Sequence, residues 1–227
     1  MSSRRIALRF PRRAMADYLR RILHGIQRYA EQAAHWRCVL DPLAGSGDHV
    51  DYDGVIAPDS RPVRDRLQEA GVPAAFVGSH AIFTPMPRVA ENRFRAGTLV
   101  ARHLVERDYT HFGYVGFIRQ GASRKLEYGY QRAVSSRGRS SDFIVIAKSS
   151  AAKAACWSRH REILSEWLDG LRPPAGILCI SDSLAHLVAD AALAKGLRIP
   201  DDVGIVGAGN DPLYCNWPAC PLTSVGG

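Results

Sequence analysis

No run in the chain approaches the ~18 consecutive apolar residues that a helical membrane span needs. Arg4 and Arg5 near the start are followed by no apolar segment, so nothing there reads as a secretory leader. These two absences lead to the expectation of a cytoplasmic protein without membrane contact. Cysteine is sparse: Cys38, Cys156, Cys179, Cys215 and Cys220 form an odd set with no CxxC spacing, which argues for reduced thiols over a disulfide framework or a zinc site. The patterns that announce common chemistries are missing as well. No G-x-G-x-x-G follows the first predicted strand, and Gly45-Ser-Gly47 comes after the second, in the wrong context. G-x-S-x-G, HExxH and the phosphate-binding P-loop do not occur. The expectation is therefore a non-enzyme with no cofactor and no metal. A helix-turn-helix pattern is also lacking, and Lys/Arg residues form no block beyond Arg12-Arg13 and Arg20-Arg21. The net charge of +8 is mostly arginine spread along the chain. It raises an anionic partner as an option but carries no base readout by itself.

What is present is a succession of strands and helices. Hydrophobic residues make up 46% and charged residues 23% of the 227 positions, ordinary for a globular chain. The clearest stretch runs from Arg172 to Asp211. Gly176 to Ile180 is an apolar run without alternation, as a strand buried on both faces requires. Ser181 and Asp182 stand at its carboxyl end where a helix cap belongs, ahead of Leu184, Leu187, Val188, Ala191 and Ala192 at helical spacing. Gly196 closes that helix, and Val203 to Val206 is another buried strand. A β-α-β unit of this kind implies a parallel sheet with helices on its faces, and such sheets bind ligands outside the carboxyl ends of their strands. The same reading predicts strands at 6–10, 36–40, 53–57, 74–78, 111–116 and 142–147. Helices are predicted over 17–33 (with Gly25 read as a close approach to the sheet), 61–70, 94–107, 123–136 and 154–171. Leu99, Val100, His103 and Leu104 are the expected inner face of the 94–107 helix; Leu126, Tyr130 and Val134 that of the next; Trp157, Leu164 and Trp167 the anchors of the last. Beyond Gly207 the chain reads as irregular. Two β-α series joined near Tyr109 imply two similar lobes, 1–109 and 110–221, with 222–227 starting a crossover back to the first.

Several motifs in order carry a family resemblance: Asp53-Gly-Val-Ile-Ala57, Val89-Ala-Glu-Asn92 with Gly97, His103-Leu-Val-Glu-Arg107 running into His111-Phe-Gly-Tyr-Val-Gly116, Ser123-Arg124 with Gly129-Tyr130, Ser181-Asp182-Ser-Leu-Ala185, Ile199-Pro-Asp-Asp-Val-Gly-Ile-Val-Gly207, and Pro221-Leu-Thr-Ser-Val225. Together they resemble the sugar-sensing domain of the lac and gal repressor family, which has the type I periplasmic-binding-protein fold. The first strand begins almost at Met1, Tyr18 and Arg20 precede Gly25, and Asn210-Asp211 with Leu213 follow Gly207. In these features the chain is similar to the xylose-operon regulator branch, whose members carry an AraC-type DNA-binding domain after the sensor. The resemblance implies an α/β protein of two Rossmann-like lobes with parallel sheets, truncated at its C-terminus and so a fragment of a regulator. DNA would be reached only through a domain missing here, and the full-length protein would be a homodimer. Two departures stand out. Gly209 occupies the position where the family has an acidic residue that would accept sugar hydroxyls, and Glu91 stands where Asp is usual.

A carbohydrate effector presents hydroxyls around a ring with an apolar face, so its site needs carboxylates, amides and guanidinium groups in fixed places beside an aromatic wall. By resemblance the cleft between the lobes supplies Phe10, Tyr18 and Asn92 from one side and Arg124, Asp182 and Asn210 from the other. Each has a plainer alternative. Asp182 and Asn92 are also good helix caps, Arg124 a solvated helix start, Tyr18 and Phe10 core residues, Asn210 a turn residue, and Trp217 a packing residue as readily as a stacking one. The alternatives are a transport-type sugar-binding protein without a regulatory role and a decayed fragment that binds no ligand.

Overall fold

Alternating Ile6, Ala7 and Leu8 enter a buried layer because β1 (Arg4–Leu8) is flanked on both sides by parallel neighbours, β2 (Trp36–Leu40) and β3 (Gly54–Pro58). The computed structural model describes residues 3–10, 17–43, 51–78, 86–117, 121–146, 154–216 and 220–226. Its chain divides into two compact units, Met1–Glu91 and Asn92–Gly227. In the first, β1 is followed by helix α1 (Asp17–Tyr29), which runs on into a π turn (Ala30–Ala34), then β2, β3, helix α2 (Arg61–Glu69), β4 (Ala74–Val77) and β5 (Arg88–Val89). The sheet order is β2-β1-β3-β4-β5 and every ladder is parallel. Phe10, Leu19 and Val77 fill one side of this sheet and Leu67 and Phe76 the other.

The second unit opens with helix α3 (Arg93–Val105) and continues through β6 (His111–Phe117), α4 (Gly121–Ser135), β7 (Ser141–Ile146), α5 (Ala154–Asp169), β8 (Ala175–Cys179), α6 (Asp182–Ala194), β9 (Val203–Ala208), α7 (Pro212–Cys215) and β10 (Thr223–Val225). Its sheet, β10-β9-β8-β6-β7, is again wholly parallel. Counted within each unit, both sheets have the order second, first, third, fourth, fifth, the doubly wound arrangement whose strand order reverses beside the first strand. β8 and β9 are buried along their whole length, as their unbroken apolar sequences require. Leu126, Tyr130 and Val134 are fully buried on α4, and the Tyr130 hydroxyl donates to the Gly176 carbonyl at 2.8 Å.

The structure revises several sequence expectations. β1 starts and ends two residues earlier than 6–10, because its ladder with β2 begins at Arg4, and Phe10 leaves the sheet into the core beneath α1. Gly25 makes no close approach: a Cβ there would meet nothing within 4 Å. On α3, Leu99 is 39% exposed while Gly97 and Ala101 are buried. The helix is turned toward α4, which it meets backbone to backbone. A Cβ on Gly97 would lie 2.2 Å from the Leu126 carbonyl oxygen, and one on Gly129 would lie 2.0 Å from that of Phe94. This contact groups α3 with the second unit, ahead of the Tyr109 junction read from the sequence. Residues 222–227, expected to begin a crossover, supply Leu222 to the second core and the strand β10. The side chain of Trp157 and residues 11–16, 44–50 and 79–85 lie outside what the structure describes.

One turn carries a pH signature. Ahead of β9, Arg198 holds Asp202 through two guanidinium hydrogen bonds of 2.7 and 3.0 Å and a 2.9 Å backbone bond. These bonds hold the Asp202 carboxyl at about 2, well under its ordinary range. A carboxyl lowered in the folded state stabilises above its unfolded value of about 3.9, and that contribution is lost as the pH falls toward the folded value. A carbon-13 titration of Asp202 is expected to show a midpoint near 2, and Arg198→Ala should raise it toward, but not fully to, the ordinary value, because the backbone N–H of residue 198 still donates to the carboxylate. An unchanged midpoint in the variant would refute the assignment.

Candidate functional site

The carboxyl ends of β8, β9 and β10 converge on one carboxylate. β8 ends at Cys179 and turns through Ser181, whose hydroxyl caps α6 by accepting from the Leu184 N–H at 3.3 Å. Ser181 is thus the cap, and Asp182 is the first helical residue. Asp182 is 2% exposed. Its Oδ1 accepts from the Ser224 hydroxyl at 2.5 Å and its Oδ2 from the Asp211 N–H at 2.8 Å. The Ser224 oxygen in turn accepts from the Asn210 N–H at 2.9 Å. Asn210 adopts the left-handed conformation, φ 53°. Gly209 precedes it at φ +124°, and its N–H donates to the Val225 carbonyl at 3.0 Å. The carboxylate packs directly on β9: a Cβ at Gly207 would fall 2.2 Å from Asp182 Oδ1. The Cys215 thiol joins the cluster and is pushed up by burial first and by the Asp182 charge second. Burial, then Asp182, also push up the Cys179 thiol. Cys38, Cys179, Cys215 and Cys220 are all free.

The remaining candidates are placed as follows. Arg124 is exposed on the first turn of α4, just past the carboxyl end of β6, and its charge opposes the upward push that burial gives Glu127. Asn92 is exposed and caps α3, its Oδ1 accepting from the Arg95 N–H at 3.0 Å. Asn210 is exposed at the end of β9. In the first unit, Tyr18 is 38% exposed on α1, whereas Phe10 is fully buried in the core. Trp217 lies outside the described residues. The structure therefore joins Asp182 to Asn210 through Ser224. It leaves Arg124, Asn92 and Asn210 as exposed polar groups of the second unit, with Arg124 and Asn210 following the carboxyl ends of β6 and β9.

Two residues at these strand ends escape sequence reading. Ser224 sits in an otherwise plain Leu-Thr-Ser-Val motif, and nothing local marks its hydroxyl as a bridge. Asp59 lies 3% exposed at the carboxyl end of β3, where Arg64 donates to its Oδ1 at 2.7 Å and Arg88 of β5 approaches its Oδ2 at 3.5 Å. The signal that picks out Asp182, an acidic residue straight after a buried strand, recurs there. A cavity of about 710 Å³ in the second unit is bordered by His103, Arg107, Tyr109, Pro200 and Leu222 and touches none of the six candidates. It lies toward the amino ends of the strands, the end that parallel sheets do not use for ligands.

Two units, each a doubly wound parallel sheet, define an α/β protein of the periplasmic-binding type. The chain belongs to the periplasmic binding protein-like domain family, whose model matches residues 101–226. It is similar to the xylose operon regulatory protein of Escherichia coli strain K12, with 23% identity over 237 residues that cover 97% of this chain and 58% of that one. The transcriptional regulator DegA of Bacillus subtilis strain 168 is 25% identical over 173 residues, covering 76% of this chain and 50% of its own. The chain thus spans little more than half the length of these relatives. Among solved structures, the xylose-binding transcription activator xylR superposes with a TM-score of 0.83 at 22% identity, over 99% of this chain and 59% of that one. The regulator CelR in complex with cellobiose gives 0.74 at 18%, over 98% and 72%. Among the described residues no helix is long and apolar enough to cross a membrane, and no group of His, Cys, Asp and Glu is arranged to hold a metal ion.

Proposed function

We propose that this chain is the effector-sensing part of a transcription regulator and that its effector is a small carbohydrate, a pentose such as xylose. The observation that carries the reading is the similarity to a xylose operon regulatory protein along 97% of the chain. The D-xylulofuranose complex of a similarly folded Alkaliphilus metalliredigens protein supports a five-carbon ligand. In this reading the sugar is held by the polar and aromatic side chains that the resemblance assigns to it. Arg124 gives paired hydrogen bonds to neighbouring hydroxyls, Asn210 and Asn92 bond the ring substituents, and Tyr18 contributes an aromatic face. Control of DNA would pass through a separate domain of a cytoplasmic homodimer.

Isothermal titration of the chain with D-xylose, L-arabinose, D-ribose and D-glucose tests the reading. At least one pentose is expected to bind saturably and to raise the melting temperature, since a ligand selective for the folded state stabilises it. Arg124→Ala should weaken that binding about tenfold or more, the equivalent of one charge-assisted hydrogen bond. Absence of heat and of any thermal shift with all four sugars at millimolar concentration would overturn the proposal.

A further inference from the structure

By resemblance Asp182 is a sugar-binding carboxylate, yet its geometry fits another task. A carboxylate that accepts ligand hydroxyls must present lone pairs to the ligand. At Asp182 one oxygen is held by the Ser224 hydroxyl and the other by the Asp211 N–H, and the side chain lies against the β9 backbone with 2% of the residue exposed. What these bonds do is fix the corner that leaves β9. Ser224 is pinned by Asp182, and its oxygen receives the Asn210 N–H. Asp211, pinned from the other oxygen, uses its own Oδ1 to cap α7 by accepting from the Leu213 N–H at 3.0 Å. Between them Asn210 holds a left-handed backbone, φ 53°. That conformation is uncommon outside glycine, and asparagine is one of the few residues that tolerate it.

We propose that Asp182 is a positioning residue that acts through Ser224: the pair clamps β10 to the end of β8 and thereby sets the left-handed corner that presents Asn210. This rests on the sugar-sensing reading only for what Asn210 is presented to. A second observation makes the device more than a single coincidence. In the first unit, Asp59 lies at the carboxyl end of β3, also the third strand of its sheet, and reaches Arg88 in β5, also the fifth. In both units a buried aspartate ties the third strand to the fifth across the end of the fourth. At the second-unit copy the tie passes through a neutral hydroxyl, which leaves an acceptor oxygen for the corner's N–H. The absence of a side chain at position 209 belongs to the same arrangement. A Cβ there would lie 3.2 Å from Asp182 Oδ2, on a backbone at φ +124°. An acidic side chain at 209 would therefore be both strained and placed against a buried carboxylate.

The test uses the whole chain labelled with nitrogen-15, with Ser224→Ala, Ser224→Thr and Asp182→Asn, and D-xylose as the probe. In Ser224→Ala the amide of Asn210 is expected to exchange about tenfold faster or more, while that of Ile177 in β8 stays within about twofold of the parent, as local opening requires. Ser224→Thr, which keeps the hydroxyl, should restore the protection. Asp182→Asn should release the Asp211 amide as well. If the parent binds xylose, Ser224→Ala should lose about tenfold in affinity and Ser224→Thr little. Parental exchange at Asn210 in Ser224→Ala would overturn the clamp, and parental xylose affinity in that variant would overturn its role in presentation. A parent that binds none of D-xylose, L-arabinose, D-ribose and D-glucose refutes the sugar reading alone, since the exchange rates decide the clamp without any ligand.

Discussion

Gly129→Ala is expected to destabilise the second unit by about 3 kcal/mol, at the upper end of overpacking costs. The methyl group would have to occupy a point 2.0 Å from the Phe94 carbonyl oxygen and 2.8 Å from its carbon. Those are backbone atoms of α3, so no rotamer change relieves the clash and the two helices must part. Their separation would expose the seam that Val100, Leu104, Leu126 and Tyr130 close. Gly25→Ala provides the opposite sign within the same protein. Gly25 lies within α1 with open space where its Cβ would go, so alanine there should stabilise by about 0.5–1 kcal/mol through helix propensity. Urea unfolding followed by tryptophan fluorescence measures both as midpoint shifts at constant slope. A Gly129→Ala midpoint equal to that of the parent would contradict the packing described here.

Removing Asp59 should cost the first unit about 3–5 kcal/mol, the usual penalty for leaving a buried charge without its partner. The Arg64 side chain is 7% exposed and the Asp59 side chain 0%, so Asp59→Ala strands a guanidinium that solvent cannot reach. Arg88, 28% exposed, loses an ion pair too but has access to water. The double variant Asp59→Leu with Arg64→Met should recover most of the loss, because it removes both charges and keeps the volume. Amide exchange in β3 and β4 compares the two variants within the first unit. If Asp59→Ala and the double variant fall equally, the charge argument fails and the effect is one of packing.

These two sites show where sequence reading succeeds and where it stops. The alternation of buried strand and amphipathic helix is a local property, so α4, α6 and β8 emerged within a residue or two, with their inner faces correct at Leu126, Tyr130, Val134, Leu184 and Leu187. The family motifs likewise placed the fold class. What the chain does not write locally is which element a helix faces. Leu99 looked buried because it is apolar, but α3 is drawn to α4 by two glycines 32 residues apart. Gly25 looked like such a contact and is not one. The carboxylates tell the same story. Asp182 was visible as a residue after a strand, but its partner Ser224 lies 42 residues away on a three-residue strand with no signature of its own. Phe10, the end of the predicted 6–10 strand, is a wall residue by resemblance, and the structure instead buries it in the core.

Because every ladder in both sheets is parallel, each sheet gathers its outgoing turns along one rim and its incoming turns along the other. The Tyr109 hydroxyl, bonded to the Pro200 carbonyl at 2.7 Å, belongs to the incoming side of the second sheet, and Asn210 to the outgoing side. The outgoing rim also carries the buried Asp59 and Asp182, so a change of sequence there alters what the turns present only within the limits that these two carboxylates set on folding.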